Sequence, residues 1–368
     1  MKFRAERTAL ADAVSTAQRA VGSRTGGGPV ATSGIKVTLG QGSVEFMGTD
    51  RELTIRVAVP AAVDGAGEAV LPARLFSDII ARVDADTVTV DFEGDDVKIS
   101  AGRFSTELRT LPTGDFPVVA APSGAGVTVT GAAFADALRQ VVPAASKDDA
   151  RPILTGVLLA AHGGGLRMVA TDSYRLAMRD LQGFGEVAAD RRPLVNGKAL
   201  AEVQRITGDS DLEVVLDERD VTFRIGAVTV TSRLIEGAFP DYKDLIPDNY
   251  PNRLVISREA LAGAVSRVRL VAQARDQAPI SLAMSADGVE LSARAQDVGE
   301  AQESVDATFT GTELKVAFNP QYLLDGLEAA GTEEVAIETI EPLKPAVLRG
   351  VGSEAEGFVY LLMPVRIP

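Results

Sequence analysis

The sequence contains no cysteine and no tryptophan, and its single histidine is His162. The lack of cysteine excludes disulfide bonds, thiolate metal sites and a cysteine nucleophile, and one histidine supplies too few ligands for a typical zinc site. No apolar run reaches the ~20 residues that cross a membrane as a helix, and the first residues contain no apolar signal core. We therefore expect a cytoplasmic protein without a metal or other cofactor.

Positive charge is also scarce, because 37 Lys and Arg residues stand against 51 Asp and Glu residues and give a net charge of −14. Affinity for phosphate groups comes from Lys and Arg, so the total charge argues against nucleic-acid binding. The six helices predicted below nevertheless sum to +3, which leaves −17 for the rest of the chain. Such a distribution can produce two faces of opposite sign, although ordinary scatter of surface charge explains the same counts.

Three sequence patterns recur at intervals of 123 to 127 residues. The first is an amphipathic helical pattern with Leu10, Phe134 and Leu261 at the matching positions. The second is another helical pattern, in which Asp78, Glu202 and Asp325 match, and the third pairs residues 111–117 with residues 234–240. A period of this length exceeds that of solenoid repeats and matches a whole domain. The chain is therefore predicted to be an internal triplication.

Each repeat contains two helical patterns and about eight short segments with the period-two alternation of strands. This composition predicts an α+β fold of three repeated domains, in which the helices pack on one face of antiparallel sheet. The linker-like residues 121–126 and 248–252 give domains at residues 1–120, 127–247 and 253–368. The helices are expected near residues 6–20, 72–84, 131–147, 195–207, 257–275 and 319–332. Pro72 is expected at a first helical position, and His162 in a loop.

Several short motifs resemble one family along the whole chain. They are residues 1–3 (MKF), 110–117 (TLPTGDFP), 169–177 (VATDSYRLA), 237–242 (GAFPDY), 317–320 (AFNP) and 363–366 (MPVR). Together with the triplication they resemble the bacterial DNA sliding clamp, the beta subunit of DNA polymerase III.

The resemblance implies a fold and a function. The chain would form half of a closed ring, a head-to-tail homodimer whose helices line a hole for duplex DNA. The ring would catalyse no reaction. A clamp loader would place it on DNA, and it would tether DNA polymerase and repair proteins through short peptide motifs. Cyclic peptide antibiotics would bind in the same cleft as these motifs.

The resemblance also assigns site residues by matching positions. The peptide-binding cleft corresponds to Leu154, Thr171, Ser173, Tyr174, Arg175, Leu176, Pro240, Leu245, Leu361, Leu362, Met363, Pro364, Val365 and Arg366. The DNA-facing positions are Arg24, Arg74, Arg139, Arg151 and Lys198. The dimer interface corresponds to Arg103, Phe104, Leu270 and Val271. Read without the resemblance, Met363 and Pro364 favour core packing, and Phe104 is as typical of a core as of an interface. Each of the basic residues, taken singly, favours solvated surface charge.

Three stretches depart from the family pattern. Residues 25–33 (TGGGPVATS) replace an apolar run and predict a more mobile loop. Ser173 and Tyr174 replace a small residue and a histidine in the cleft, and Asp244 stands where a basic residue is common. These departures motivate the hypothesis of a divergent second copy with altered inhibitor affinity, an antibiotic-resistance paralogue.

Two other functions compete with this interpretation. An enzyme could use the paired carboxylates Asp95–Asp96 or Asp148–Asp149, but these pairs occur in turn-like sequence, and residues 26–28 lack the Lys-Ser/Thr of a phosphate loop. Asp50 and Asp172 follow threonines 122 residues apart, so the repeat explains them as equivalent turn positions. A monomeric three-domain scaffold that binds peptides but encircles nothing is the second alternative.

Overall fold

The computed structural model describes residues 1–22, 30–120, 124, 126–188, 191–247, 249–273, 278–295, 298–352 and 356–366. Arg24 and most of the loop predicted for residues 25–33 lie outside these residues. Val30–Ser33, the described end of that loop, forms a 3₁₀ turn. Within the described residues the chain forms six α-helices and 26 strands.

The elements follow one another in the same order in each third of the chain. The first third contains β1 Lys2–Glu6, α1 Arg7–Gln18, β2 Gly34–Leu39, β3 Ser43–Thr49, β4 Leu53–Pro60, β5 Ala62–Asp64, β6 Gly67–Pro72, α2 Ala73–Arg82, β7 Thr87–Glu93, β8 Asp96–Ala101 and β9 Phe104–Arg109. The second contains β10 Val127–Val129, α3 Gly131–Val141, β11 Gly156–His162, β12 Gly165–Thr171, β13 Arg175–Leu181, β14 Leu194–Asn196, α4 Gly197–Thr207, β15 Leu212–Leu216, β16 Asp220–Ile225 and β17 Val228–Arg233. The third contains β18 Asn252–Ser257, α5 Arg258–Gln273, β19 Ile280–Ser285, β20 Gly288–Ala295, β21 Gly299–Val305, β22 Thr308–Thr310, β23 Leu314–Phe318, α6 Pro320–Ala330, β24 Glu334–Thr339, β25 Ala346–Gly350 and β26 Phe358–Leu362.

This order confirms the predicted triplication. In every third a strand precedes the first helix, a run of strands separates the two helices, and three strands follow the second helix. The strand before the first helix always pairs with the strand after the second, as β1 with β7, β10 with β15, and β18 with β24. The α+β prediction is therefore correct, and the short strands β5 and β22 are additions within the first and last thirds.

The described residues form two compact units. Unit 1 comprises Met1–Ala132 and Arg205–Leu234, and unit 2 comprises Ala133–Gln204 and Ile235–Pro368. Unit 1 contains a five-stranded sheet of order β5-β1-β7-β8-β9 and an eight-stranded sheet of order β10-β15-β16-β17-β4-β3-β2-β6. Unit 2 contains a nine-stranded sheet of order β14-β11-β12-β13-β26-β25-β24-β18-β22 and a four-stranded sheet of order β21-β20-β19-β23.

Aromatic side chains form part of the core of unit 1. Phe3, Phe46 and Phe76 are fully buried. The rings of Phe3 and Phe46 meet edge to face with their centres 6.1 Å apart, and the rings of Phe46 and Phe76 stack with their centres 6.3 Å apart. Helix α1 begins where the Glu6 carboxylate accepts hydrogen bonds from the N–H groups of Thr8 and Ala9. These bonds hold the pKa of Glu6 below its usual value, because they satisfy donors that a helix start leaves free.

Three local predictions were wrong. Helix α3 ends at Val141 instead of residue 147, and a 3₁₀ turn with Pro143 follows, since proline lacks the N–H that would continue the helix. Pro72 ends β6 and precedes α2 as its N-cap residue, so Ala73 is the first helical residue. His162 is the last residue of β11 and pairs with Gly165, because the two-residue Gly163–Gly164 turn extends the strand to it.

Candidate functional site

A tight turn between β12 and β13 begins the candidate cleft in unit 2. The Asp172 carboxylate accepts hydrogen bonds from the N–H groups of Tyr174 and Arg175 at 2.9 and 3.0 Å. The Thr171 hydroxyl donates to the carbonyl of Arg175 at 2.7 Å and accepts from the N–H of Ser173. Ser173 adopts a φ of 80°, a strained conformation that these bonds stabilise. The turn presents Tyr174 to solvent, where 57% of it is exposed.

The floor of the cleft is apolar and lies on one face of the nine-stranded sheet. Leu176 pairs with Leu361, and Leu361 pairs with Val347 on the next strand. Because side chains alternate along a strand, this face also receives Met178 and Val359. We define the cleft floor as these five buried residues: Leu176, Met178, Val347, Val359 and Leu361.

Strand alternation divides the predicted cleft residues between two faces of the sheet. Leu176 and Leu361 belong to the apolar cluster of the floor. Their neighbours Arg175 and Leu362 are also buried and form a pair in the β13–β26 ladder, but they are directed to the opposite face. The sequence match had placed all four in one groove.

Loop segments and the chain end form the sides of the cleft. Ile153, Phe239, Ile246 and Tyr250 pack against the apolar cluster, as does the buried Tyr242. Leu154 lies half-buried on the same 3₁₀ turn as Ile153, Pro240 is exposed, and Leu245 is 44% exposed.

The segment after β26 is fixed by two backbone hydrogen bonds. The N–H of Met363 donates to the carbonyl of Tyr174 at 2.9 Å, and the N–H of Val365 donates to the carbonyl of Ala317 at 2.8 Å. Met363 and Val365 are each 38% exposed, Pro364 is half-buried and Arg366 is exposed. The exposure of Met363 excludes the core-packing alternative and leaves its thioether available to a ligand.

Arg175 connects the central and C-terminal thirds of the chain inside unit 2. Its guanidinium donates to the carboxylates of Asp172 and Asp325 and to the carbonyl of Pro143. It also donates to the Tyr360 hydroxyl at 3.3 Å and lies 4.4 Å from the centre of the Tyr322 ring. A buried arginine needs several acceptors of this kind, because an unpaired buried charge is costly.

This network shifts the pKa values of three groups. Burial opposes the charge on Arg175, but Tyr360, Asp325 and Asp172 outweigh it and raise the arginine pKa above its usual value. Burial raises the pKa of Tyr360 above that of free tyrosine, although Arg175 acts in the opposite direction. Burial likewise raises the pKa of Tyr322. The site therefore holds a permanent cation and two neutral phenols at neutral pH.

An inner cavity of about 810 Å³ lies on the Arg175 side of the sheet. Tyr174, Arg175 and Tyr322 line it, together with Arg151 and Lys198, two of the residues predicted to face DNA. The Tyr174 ring stacks on Tyr322 with centres 6.5 Å apart. The cavity thus combines aromatic and basic groups.

The basic residues predicted to face DNA have different surroundings. Arg74 is exposed on α2, whereas the exposed Lys198 lies 3.5 Å from Asp149. Arg151 pairs with Asp148 at 3.0 Å. Arg139 donates to Asp136 and to the carbonyl of Glu328. Arg24 lies outside the described residues.

The predicted dimer residues lie at or beside the edges of two sheets. Strand β9 is an outer strand of its sheet in unit 1, and β21 is an outer strand of its sheet in unit 2. Phe104 opens β9 and is 44% exposed beside a cavity of about 330 Å³, and Arg103 precedes it. Leu270 on α5 is 67% exposed, and Val271 follows it half-buried.

Sequence reasoning missed several residues that the structure brings to the site. Asp172, Tyr322, Asp325 and Tyr360 surround Arg175, and Val347 completes the cleft floor. Asp325 had been noted only as a repeat position. Its role was not visible because its partner lies 150 residues away in the sequence.

Comparison with known proteins decides the family. Models of the N-terminal, central and C-terminal domains of the DNA polymerase III beta subunit match residues 1–120, 128–241 and 243–366. A curated beta sliding clamp of Streptomyces coelicolor is 33% identical over 100% of both chains, and one of Staphylococcus aureus is 32% identical over 92% of both. The chain belongs to the DNA polymerase III beta subunit family. Members of this family, the beta sliding clamps, are processivity factors of DNA replication and are not enzymes.

Solved structures of the family agree with this assignment. The sliding clamp of Bacillus subtilis superposes with a TM-score of 0.91 at 27% identity over 100% of both chains. The clamp of Pseudomonas aeruginosa bound to griselimycin superposes with a TM-score of 0.89 at 28% identity, again over 100% of both chains. The enzyme alternative is therefore wrong, and the chain is a processivity factor of the clamp type.

Neither a metal site nor a membrane-spanning helix occurs within the described residues. No group of three or more histidine or acidic side chains there is arranged to hold a metal ion. No helix in the same part of the chain is both long and apolar enough to cross a membrane.

Proposed function

We propose that two copies of this chain join head to tail into a ring that encircles duplex DNA and tethers DNA polymerase. The observation that carries this proposal is a pairing rule within the fold. The last strand of one third pairs antiparallel with the strand that stands third after the first helix of the preceding third, as β17 with β4 and β26 with β13. By the same rule β9 of one copy would pair with β21 of the other copy. Each of these strands lies at a sheet edge within the described residues.

Side chains near the two edges support their pairing between copies. Phe104 borders a cavity lined by Ile79 and Val83, which suits an apolar side chain such as the exposed Leu270 of a second copy. Arg103 stands beside one edge, whereas the other carries the acidic Glu300 and Glu303. Exposed strand edges of this kind favour association, and a head-to-tail contact between two copies closes when its rotation is two-fold.

We also propose that the helices carry the contacts to DNA. Arg74 and Lys198 lie exposed on α2 and α4, where they can approach phosphates, with Arg151 beside Lys198 at the inner cavity. Arg24 and Arg139 complete the proposed set. With a net charge of −14 the chain cannot grip DNA tightly, and weak phosphate contacts suit a ring held by topology that must slide.

The cleft of unit 2 is proposed to bind short peptide segments of the polymerase, the clamp loader and repair proteins. Its floor of five apolar side chains can receive Leu or Phe anchors, and the backbone of the turn and chain end can fix the peptide.

We further propose that the protein is cytoplasmic and that its three domains comprise residues 1–120, 127–247 and 253–368.

Cyclic peptide inhibitors are proposed to share this cleft. The related clamp of P. aeruginosa has been crystallised with griselimycin bound to it. Here Tyr174 occupies the position where a histidine was expected, and its ring stacks on Tyr322. This replacement supports the hypothesis of a divergent copy. Griselimycin affinity measured beside an ordinary clamp tests this hypothesis, and equal affinities would remove it.

Retention on circular DNA tests the ring. The chain is loaded onto nicked circular DNA with a clamp loader and ATP, isolated by gel filtration, and the DNA is then cut once. We expect the protein to remain on the circle and to leave the linear form. A monomeric peptide-binding scaffold would behave alike on both forms, and that result would refute the proposal.

A further inference from the structure

Unit 1 contains a second copy of the turn that begins the cleft in unit 2. The Asp50 carboxylate accepts from the N–H groups of Glu52 and Leu53 at 2.9 and 2.7 Å. The Thr49 hydroxyl donates to the carbonyl of Leu53 at 3.1 Å and accepts from the N–H of Arg51. Arg51 has a φ of 81°. The bonds and the strained residue match those of residues 171–175 one for one.

A groove follows this turn in unit 1, as the cleft follows its turn in unit 2. The groove encloses about 420 Å³ beside residues 117–120. The strand pairings assign each floor position in unit 1 a counterpart in unit 2, because Thr54 pairs with Thr231 where Leu176 pairs with Leu361. In the same way, Thr222 pairs with Thr231 in unit 1 where Val347 pairs with Leu361 in unit 2. Arg56 pairs with Thr229 where Met178 pairs with Val359.

The floors differ at all five positions. In the order Leu176, Met178, Val347, Val359 and Leu361, the counterparts in unit 1 are Thr54, Arg56, Thr222, Thr229 and Thr231. The same backbone therefore carries an apolar floor in one unit and a polar floor in the other.

The polar floor is internally hydrogen-bonded. The hydroxyls of Thr222 and Thr231 lie 3.0 Å apart, and those of Thr49 and Thr54 lie 2.8 Å apart. Arg56 donates to the carbonyl of Val119 at 2.6 Å. An apolar anchor on this surface would cover hydroxyl groups without pairing them and would gain little apolar contact.

Charged side chains surround this groove. Arg51, Glu52, Asp217, Asp220 and Arg233 line it, and Arg233 lies 3.8 Å from Glu52. Desolvation of such groups by an apolar segment is unfavourable. Both the floor and its surroundings therefore disfavour the ligands that suit the cleft of unit 2.

We propose that Thr54, Thr222 and Thr231 are specificity-determining residues that keep apolar peptide anchors out of the groove of unit 1. The scaffold of a peptide site is present in both units, and these threonines occupy three of the five floor positions that are polar in unit 1 and apolar in unit 2. This inference rests on the proposed peptide binding by unit 2. The inference predicts that replacement of the three threonines converts the groove of unit 1 into a second peptide site.

Binding stoichiometry tests the inference. A fluorescein-labelled peptide with a Leu-Phe pair is titrated into the full chain, into the variant T54L/T222V/T231L and into the variant L176T/L361T. We expect one peptide per chain for the unchanged protein, two for the triple variant and none for the double variant. The second site should bind within about tenfold of the first, because its scaffold is the same.

A matched control separates specific binding from general stickiness. Thr38→Leu adds an apolar side chain at a half-buried position of β2, in the same sheet but outside the groove, and should leave one peptide per chain. Circular dichroism establishes that each variant is folded. The hydroxyls of Thr222 and Thr231 bond to each other, so replacing both residues leaves neither hydroxyl behind as an unpaired group.

The possible outcomes distinguish the two proposals. If the unchanged protein binds no peptide, peptide binding by unit 2 fails and the inference fails with it. If the unchanged protein binds one peptide and the folded triple variant also binds one, the proposed function stands and the inference is refuted. Two peptides on the unchanged protein would refute the inference alone, because the threonines would then exclude nothing.

Discussion

Arg175 is the side chain on which most of the contacts near the cleft converge. It bonds to two carboxylates, a carbonyl and a phenol, and packs on Tyr322. Its neighbours in sequence, Tyr174 and Leu176, belong to the inner cavity and to the cleft floor. One residue therefore connects the inner cavity with the cleft floor on the other face of the sheet.

Replacement of Arg175 should destabilise the protein more than replacement of an exposed arginine. Arg175→Ala leaves Asp172 and Asp325 without their cation, so the free energy of unfolding should fall by about 3 kcal/mol. Arg175→Lys keeps the charge but not the fork of donors, and should have an intermediate effect. Urea denaturation measures these changes.

Arg151→Ala provides the control for this experiment. Arg151 forms a surface ion pair with Asp148, so its removal should cost under about 1 kcal/mol. An equal loss for Arg151→Ala and Arg175→Ala would contradict the assigned importance of the buried network.

Tyr360 should make stability sensitive to alkaline pH. Burial raises its folded pKa above that of free tyrosine, so the folded state favours the neutral phenol. This contribution is complete below the unfolded pKa, about 10, and is lost as the pH rises through the folded pKa. The free energy of unfolding of the unchanged protein should therefore fall above about pH 10.

Tyr360→Phe should remove much of that pH dependence. The variant loses the hydroxyl that donates to the Tyr322 carbonyl at 3.0 Å, and should be less stable at neutral pH by about 1 kcal/mol. Denaturant titrations at a series of pH values provide the measurement. Parallel curves for the two proteins from neutral to alkaline pH would show that Tyr360 is not the titrating group.

Helix α6 packs closely against the sheet at Gly326. A Cβ added there would lie 2.6 Å from two carbons of the Tyr360 ring, which is too close for a side chain. Gly326→Ala should therefore lower the free energy of unfolding by about 2 kcal/mol through overpacking, although alanine favours helix.

Gly263→Ala in α5 gives the matched comparison. There the added Cβ would meet only the movable end of the Arg267 side chain, at 3.2 Å. The variant should gain about 1 kcal/mol from helix propensity. Thermal unfolding of both variants measures the difference, and a gain of stability in Gly326→Ala would show that the helix can move away from Tyr360.

The proposed pairing of the edge strands β9 and β21 between two copies can be tested by substitutions beside these edges. Phe104→Glu or Leu270→Glu places a charge on an exposed apolar position next to a sheet edge, where a second copy would have to desolvate it. We expect the dimer to dissociate into folded monomers, as measured by analytical ultracentrifugation. Leu343→Glu, at a 58% exposed position away from both edges, should leave the mass unchanged.

For the whole molecule, the balance of charge predicts weak and salt-sensitive contact with DNA. Arg74→Glu with Lys198→Glu should lower the affinity for short duplex DNA and reduce the slope of log affinity against log salt by about 2. Fluorescence anisotropy at several salt concentrations measures this slope. Lys315→Glu with Lys344→Glu makes the same change of net charge at exposed positions outside the helices, and an equal effect would refute the proposed DNA face.

Much of the fold could be predicted because its information is local and is repeated. The periodic apolar residues around Leu10, Phe134 and Leu261 give the first helix of each third. Helix α3 was predicted too long because apolar residues continue past Val141, whereas Pro143 ends the hydrogen-bond series.

The site was less predictable, because it depends on which face of a strand each residue occupies. A list of matching positions grouped Arg175 with Leu176, and Leu361 with Leu362, although neighbours on a strand are directed to opposite sides. The partners of Arg175 come from distant parts of the sequence, and no periodic pattern indicates such pairs.

The sequence by itself determined the triplication, the α+β class, the absence of thiol chemistry and, through its motifs, the family. These properties follow from local periodicity and composition, which neighbouring residues carry without reference to the rest of the chain. Only the tertiary structure decided that β4 pairs with β17 and β13 with β26, that β9 and β21 lie at sheet edges, and that one of two equivalent turns is followed by an apolar floor. The physical reason is that strand pairing joins residues distant in sequence, and the register of that pairing sets which side chains share a surface.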